Sequence, residues 1–182
     1  CVAAKILYPG AKMLLPGSQE RNVRDFLNLW QDKIKIEQEK EIDFDTVNRL
    51  IVVETRLAQR IGRAASVIGK KGVEIHIYDH HPRSKYDIKA QKDIFKPVGS
   101  TTSILVNIIK KKKIPINPME ATIMALGIYE DTGSLTFQTT VKLDIDMVGY
   151  LFSKGANLSV VSSCLKQELS SEELNFLSKL IN

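Results

Sequence analysis

Two short apolar runs, at residues 50–53 and 73–78, constrain the fold of this chain more than any other feature. Each has the length and the apolar content of a buried strand. The segment between them, residues 57–68, predicts a helix that Gly72 closes. A strand, a helix and a second strand joined by short loops favour a parallel sheet with right-handed crossovers and helices on both faces. We therefore expect an α/β domain.

Further elements are predicted on both sides of this unit. Pro118 favours the start of a helix, because the missing N–H of proline costs little in the first helical turn. The hydroxyl residues of Gly99-Ser100-Thr101-Thr102 predict an N-cap for the apolar run that follows them. The other predicted elements are a strand at 11–15, helices at 22–30, 104–109 and 118–129, and three short helices within 143–182.

Composition places the chain among ordinary globular proteins. Its 182 residues are 43% hydrophobic and 26% charged, which suffices for one domain with a real core. The formal charge of +5 suits an anionic substrate without requiring nucleic acid. Much of the excess lies in the four lysines at 110–113, where the solvated end of an apolar helix is a better interpretation than an RNA-binding patch.

Cysteine usage and hydropathy predict a cytoplasmic location. Cys1 and Cys164 lie far apart and form no CxxC motif, which fits a reducing compartment. No apolar run approaches the roughly 20 residues that span a bilayer, so no membrane partner is expected. Residues 1–7 read as the middle or end of a helix without a cap. We expect the chain to begin inside a domain, with removal of an initiator methionine as the alternative.

Asp79, His80 and His81 carry the strongest chemical signal, because they come where the second predicted strand gives way to a turn at Pro82. Ligands bind at the carboxyl ends of strands in parallel sheets, and two imidazoles beside a carboxylate are typical ligands of divalent metals. A metal site is the first hypothesis. The alternative is a pair of polar loop histidines without a ligand.

Two more acidic residues fall at comparable places. Glu54 ends the first predicted strand, and Asp131 lies in the turn after a later helix. If these elements are neighbours, their side chains converge on one edge of the sheet. Mixed oxygen and imidazole ligands without thiolates suit manganese, magnesium or cobalt better than a structural zinc. Acidic residues at such positions also serve as caps, so spacing alone does not decide.

Three segments resemble successive motifs of the DHH phosphoesterase family: Asp79-His80-His81, Gly99-Ser100-Thr101-Thr102, and residues 128–137. The resemblance covers most of residues 1–165 in order. It implies a Rossmann-like parallel sheet flanked by helices, with a helical C-terminal segment. It also implies a DHH domain over residues 1–165, followed at 166–182 by a helix that leads to a substrate-binding domain outside the chain.

The N-terminal region narrows this resemblance. Residues 3–11, 16–18 and 22–26 are most similar to the DHH module of large bacterial proteins that also carry CBS domains and a tRNA nucleotidyltransferase or poly(A) polymerase module. The implied activity is hydrolysis of phosphodiester or phosphoanhydride bonds. A phosphate-containing substrate such as short RNA or a nucleotide is expected, with tRNA as a partner of the full-length protein. The alternative is a catalytically weak regulatory module that binds a nucleotide or tRNA.

The resemblance also implies a role for each matching residue. The metal ligands are Glu54, His80 and Asp131, and Glu54 takes the position that bridges two Mn²⁺ or Mg²⁺ ions. Asp79 orients His80 from behind. The phosphate contacts, and the catalytic candidates, are His81 and Arg83. Gly99, Ser100 and Thr101 begin a helix whose free backbone N–H groups can face an anion, so they are the candidate substrate-binding residues.

Two departures from the family pattern limit what this chain is expected to do. Glu54 stands where the family usually has aspartate, and its extra methylene can move the carboxylate off the bridging position. The first family motif, an Asp-x-Asp pair, is expected immediately before Cys1 and is absent from the sequence. We therefore expect the isolated chain to hold at most one metal ion weakly, with little turnover.

Overall fold

Parallel strands form the centre of the fold. The computed structural model describes residues 1–16 and 35–165, and within them one sheet has the strand order β1 (Arg49–Val53), β2 (Glu74–Asp79), β3 (Lys92–Phe95). All pairs are parallel, with Val53 beside Tyr78 and Asp79 beside Phe95. The carboxyl ends of the three strands therefore meet at one edge of the sheet.

Helices precede and follow this sheet. Their bounds are α1 (Val2–Leu7), α2 (Thr101–Lys111), α3 (Pro118–Asp131), α4 (Lys142–Ser153) and α5 (Leu158–Leu165), and short 3₁₀ helices cover Glu39–Glu41, Ala58–Arg60 and Gly62–Val67. Ser100 caps α2 by accepting a hydrogen bond from the Thr102 N–H. Asn117 and Glu120 form a capping box at the start of α3. No helix in the described ranges is long and apolar enough to cross a membrane.

The core has two parts because successive side chains of a strand point to opposite faces of the sheet. Tyr78 belongs to the larger cluster, which includes residues of all five helices. Ile77, the preceding residue of β2, belongs to a smaller cluster with Val52, Ile61 and Ile88 on the other face. Both Ile77 and Tyr78 are almost fully buried. A sheet buried on both faces explains why its central strand reads as a continuous apolar run.

The structure confirms the α/β class, the parallel strands at 50–53 and 73–78, and the helices that begin near Ser100 and at Pro118. The helix predicted for 57–68 is wrong. Two 3₁₀ helices replace it, because Gly62 has a φ of 56° and interrupts the right-handed helical backbone. The predicted strand at 11–15 reduces to one parallel bridge between Leu14 and Glu37. The predicted helix at 22–30 and the last C-terminal helix lie outside the described residues.

Candidate metal centre

Glu54 lies close to the Asp79-His80-His81 segment because β1 and β2 are neighbouring parallel strands. Glu54 directly follows β1, and the segment begins at the last residue of β2. The Glu54 N–H donates to the Tyr78 carbonyl oxygen at 3.1 Å, which extends the pairing of β1 with β2 by one residue. Glu54 has a φ of 70°, a left-handed conformation that costs energy for a residue with a side chain. Such strain is concentrated at binding and catalytic sites. In this chain the strained residue is Glu54, one of the candidate metal ligands.

Both ring nitrogens of His80 have a polar partner. Its Nδ1 lies 2.9 Å from the Val98 carbonyl oxygen, and its Nε2 lies 2.9 Å from Glu54 Oε1. Because a carbonyl oxygen only accepts hydrogen bonds, we assign a proton to Nδ1. The other nitrogen, Nε2, then faces Glu54. Metal-ligating histidines are oriented in this way, with one ring N–H donated to a carbonyl or carboxylate.

The His80–Glu54 contact shifts the pKa of both groups. The hydrogen bond with Glu54 raises the pKa of His80 to about 9, against the opposing effect of burial, and the Val98 carbonyl raises it further. Burial alone would raise the pKa of Glu54, but the hydrogen bond and charge of His80, with smaller contributions from Thr101 and His81, together hold that pKa below its ordinary value. Without a metal, the pair is therefore an imidazolium and a carboxylate at neutral pH.

Asp79 contacts His81, whereas the sequence-based expectation paired it with His80. Its Oδ1 accepts hydrogen bonds from the His81 backbone N–H at 3.1 Å and from His81 Nδ1 at 2.8 Å. Asp79 itself is fully buried, while the His81 side chain is 52% exposed. The aspartate thus fixes one nitrogen of an imidazole whose other nitrogen remains accessible.

Four residues bring potential metal-ligating atoms within 4.8 Å of one another: Glu54, Asp79, His80 and His81. We call them the ligand cluster. Two carboxylates and two imidazoles form the mixed oxygen and nitrogen set that suits Mn²⁺ and related divalent cations. The oriented His80 ring adds the hydrogen bond that such a site requires. These residues therefore fit a divalent metal ion.

Curated proteins similar to this chain fall into two kinds. Over 181 residues it is 42% identical to the A-adding tRNA nucleotidyltransferase of Geobacter sulfurreducens, a match that covers 99% of this chain and 21% of that protein. Over 153 residues it is 29% identical to the cyclic-di-AMP phosphodiesterase GdpP of Bacillus subtilis, covering 82% of this chain and 23% of that protein. The chain therefore spans about a fifth of the length of these relatives. No family model matches it.

Solved structures share the fold at low sequence identity. An exopolyphosphatase-related protein from Bacteroides fragilis superposes with a TM-score of 0.77 at 15% identity, over 99% of this chain and 55% of that one. A putative family II inorganic pyrophosphatase from Methanococcus jannaschii gives a TM-score of 0.68 at 18% identity, over 90% of this chain and 56% of that one. Together with the sequence motifs, these relatives and the shared fold support a DHH phosphoesterase family.

Asp131 lies beside the ligand cluster rather than within it. It is the last residue of α3, and its Oδ2 accepts a hydrogen bond from Ser100 Oγ at 2.6 Å. Burial raises the pKa of Asp131 to about 6, and the negative charge of Glu54 contributes to the increase. This coupling places the two carboxylates within electrostatic range of each other. It is the arrangement in which a bound cation relieves repulsion.

The other predicted site residues have contacts of their own. Arg83 Nη2 lies 3.1 Å from Asp93 Oδ2, and its guanidinium lies 5.7 Å from the centre of the Phe95 ring. The Gly99 N–H donates to Asp144 Oδ2 at 2.9 Å, and Thr101 is fully buried. Arg83 and Gly99 thus lie outside the ligand cluster, and their contact with substrate stays a prediction.

Arg56 is a residue that sequence reasoning missed. Its guanidinium is almost fully buried among three carboxylates, with nitrogen–oxygen distances of 3.6 Å to Asp79, 3.9 Å to Asp87 and 2.7 Å to Asp93. It balances the charge of buried Asp79, which in turn holds His81. The position of Arg56, two residues after Glu54 and near the carboxyl end of β1, is a sequence signal that could have indicated a role near the site. The Val98 carbonyl and Asp144 gave no such signal.

Proposed function

We propose that this chain is a metal-dependent phosphoesterase domain that hydrolyses phosphodiester or phosphoanhydride bonds. The ligand cluster, with its potential ligating atoms within 4.8 Å, is the observation that carries the proposal. Glu54 and His80 of this cluster would hold Mn²⁺ or Mg²⁺, and Asp131 beside the cluster would supply a further carboxylate. Divalent ions there would provide a nucleophile at neutral pH and neutralise the charge of the phosphoryl oxygens. The complete domain holds two such ions.

His81 contacts the substrate phosphate in this proposal. Its Nδ1–H donates to Asp79, so the accessible Nε2 is the nitrogen that meets a phosphoryl oxygen, and it donates when the ring is protonated. Arg56 supports this geometry by balancing the charge on Asp79. A positioned donor of this kind stabilises negative charge that develops in the transition state.

The names of the relatives guide the choice of substrate. One kind is named for adding A to tRNA and the other for cleaving cyclic-di-AMP. We therefore infer that short RNA or a dinucleotide is the substrate, and that the chain works within a longer protein related to tRNA nucleotidyltransferases. tRNA is then a partner of that longer protein.

A second candidate function is a regulatory module that binds a nucleotide or tRNA with weak catalysis. Glu54 favours it, because its carboxylate is already bound to His80 at 2.9 Å and its side chain is one methylene longer than the aspartate that is usual in the family. A carboxylate held in this way is less free to bridge two ions. The two candidates differ in whether a bound oligonucleotide is cleaved.

Hydrolysis by the natural protein that contains this chain tests the proposal. We expect Mn²⁺-dependent cleavage of a short oligoribonucleotide or a linear dinucleotide, lost with EDTA. Glu54→Gln should lower the rate on the order of 100-fold by removing a negative charge beside the cations, whereas Glu54→Asp should preserve or raise it. Asp146→Asn, a neutralisation on the exposed side of α4, is the matched control. Binding without cleavage would favour the regulatory module, and full activity in Glu54→Gln would remove Glu54 from the site.

A further inference from the structure

One short segment, residues 98–100, connects two of the candidate metal ligands. The Val98 carbonyl oxygen accepts a hydrogen bond from His80 Nδ1 at 2.9 Å, and Ser100 Oγ donates to Asp131 Oδ2 at 2.6 Å. His80 follows β2 and Asp131 ends α3, so these ligands come from elements distant in sequence. The position of the 98–100 segment therefore sets the position of both ligands relative to each other.

Asp144 holds this segment at its middle residue. The Asp144 side chain is fully buried, and its Oδ2 accepts hydrogen bonds from the N–H groups of Gly99 and Val141, each at 2.9 Å. These two N–H donors compensate the burial of Oδ2. The Gly99–Asp144 bond is therefore a firm attachment of the segment to α4.

The close packing around Gly99 supports the same conclusion. A Cβ atom on Gly99 would lie 2.9 Å from Asp144 Oδ2 and 2.7 Å from the Thr132 methyl carbon, both too close for ordinary contact. Thr132 follows the candidate ligand Asp131 directly. The hydrogen bond that the Val141 N–H donates to Asp144 is enough to cap α4. The bond that Gly99, 45 residues before Asp144, donates to the same oxygen is not part of that cap.

We propose that Asp144 is a positioning residue of the metal centre. It acts through Gly99, whose fixed backbone presents the Val98 carbonyl to His80 and the Ser100 hydroxyl to Asp131. This inference rests on the proposed function, because it assumes that His80 and Asp131 bind metal. Nothing in the sequence pattern marks Asp144, which lies on α4, 65 residues after Asp79.

Mn²⁺ titration of the natural protein and its variants tests the inference, with NMR of the Gly99 amide as a second readout. Asp144→Ala should weaken Mn²⁺ binding about 10- to 100-fold, the usual effect of losing an outer partner of a metal ligand. Asp144→Asn keeps an oxygen that accepts both N–H groups, so its affinity should stay within about threefold of the unchanged protein. Asp146→Ala on the same helix pairs only with Lys142 in the described contacts and should bind Mn²⁺ normally.

Gly99→Ala is a second variant in case Asp144→Ala does not fold. It leaves Asp144 in place but pushes the segment away from it, and it should also weaken Mn²⁺ binding about tenfold or more. Normal Mn²⁺ affinity in Asp144→Ala with the Gly99 amide signal shifted, or normal Mn²⁺ affinity in folded Gly99→Ala, would overturn the inference. If the unchanged protein bound no Mn²⁺, the proposed function would fail. Rapid exchange of the Gly99 amide in that same protein would show separately that Asp144 is no anchor.

Discussion

His80 is the residue whose protonation state decides whether the site accepts a cation. Its Nδ1–H is committed to the Val98 carbonyl, so only Nε2 can bind a metal ion. In the absence of metal that nitrogen is bound to Glu54, which raises the pKa of His80 to about 9. A cation must therefore displace a proton as well as separate an ion pair. Metal binding at this residue is consequently linked to pH.

We predict that Mn²⁺ binding near neutral pH releases about one proton, and that the release falls towards zero as the pH rises through about 9, where His80 is already neutral. Below about pH 6 Asp131 is protonated too, so the release should increase. Titration calorimetry in two buffers of different ionisation enthalpy measures this number. His81→Ala should leave it unchanged. A release that is the same at every pH would show that His80 is not a ligand.

At the scale of elements, the start of α2 is joined to the end of α3 through a single side chain. Ser100 Oγ accepts from the Thr102 N–H at 3.1 Å and thereby caps α2, and it donates to Asp131 at 2.6 Å. A hydroxyl can make both bonds at once, because it has one donor and two lone pairs. The capping of one helix and the orientation of a candidate ligand on another therefore depend on the same atom.

Replacing this hydroxyl should affect stability and metal binding together. Ser100→Ala should lower the free energy of unfolding by about 1 kcal/mol, as for other N-caps, and should also weaken Mn²⁺ binding. Asn117→Ala is the matched control, since it removes the cap of α3 at the end far from Asp131. It should cost similar stability with normal Mn²⁺ affinity. Urea unfolding and Mn²⁺ titration measure the two effects, and unchanged affinity in Ser100→Ala would contradict the link.

The elements that could be predicted from the sequence are those whose own residues form a continuous apolar run. The run at 50–53 and the run at 73–78 are apolar because both faces of the sheet are covered, and the position of Glu54 and His80 at the strand ends followed from that. β3 was missed because half of its four residues are charged, and Asp93 is compensated by Arg56 from a distant loop. Such pairs, like Gly99 with Asp144, are created by the tertiary fold and leave no local pattern.

At the scale of the whole molecule, the site draws on elements from most of the described chain. Glu54 follows β1, the Asp79-His80-His81 segment ends β2, and Asp131 ends α3. The start of α1 also lies here. Although the Cys1 side chain is exposed, its amino group has its pKa lowered by burial, and the charges of Glu54 and Asp131 oppose that effect. The Cys1 amino group is therefore within electrostatic range of the two carboxylates.

This proximity leads to a prediction about a longer protein. Residues attached before Cys1 would emerge beside Glu54 and Asp131, where the family resemblance expects an Asp-x-Asp pair. Two more carboxylates would raise the negative charge and the number of ligands around a cation, and both increase affinity for hard divalent ions. The natural protein extended upstream should therefore bind Mn²⁺ roughly tenfold or more tightly than residues 1–182 alone.

The matched control is the same extended protein with asparagine in place of the two aspartates that the family resemblance places upstream. It keeps the added length and the amide oxygens but loses the charge, so its Mn²⁺ affinity should return towards that of residues 1–182. Calorimetric titration of the three proteins at one pH and salt concentration separates the effect of charge from that of added chain. Equal affinity in all three would mean that the upstream residues are not ligands. The second ion proposed for the complete domain would then have to be held by other residues.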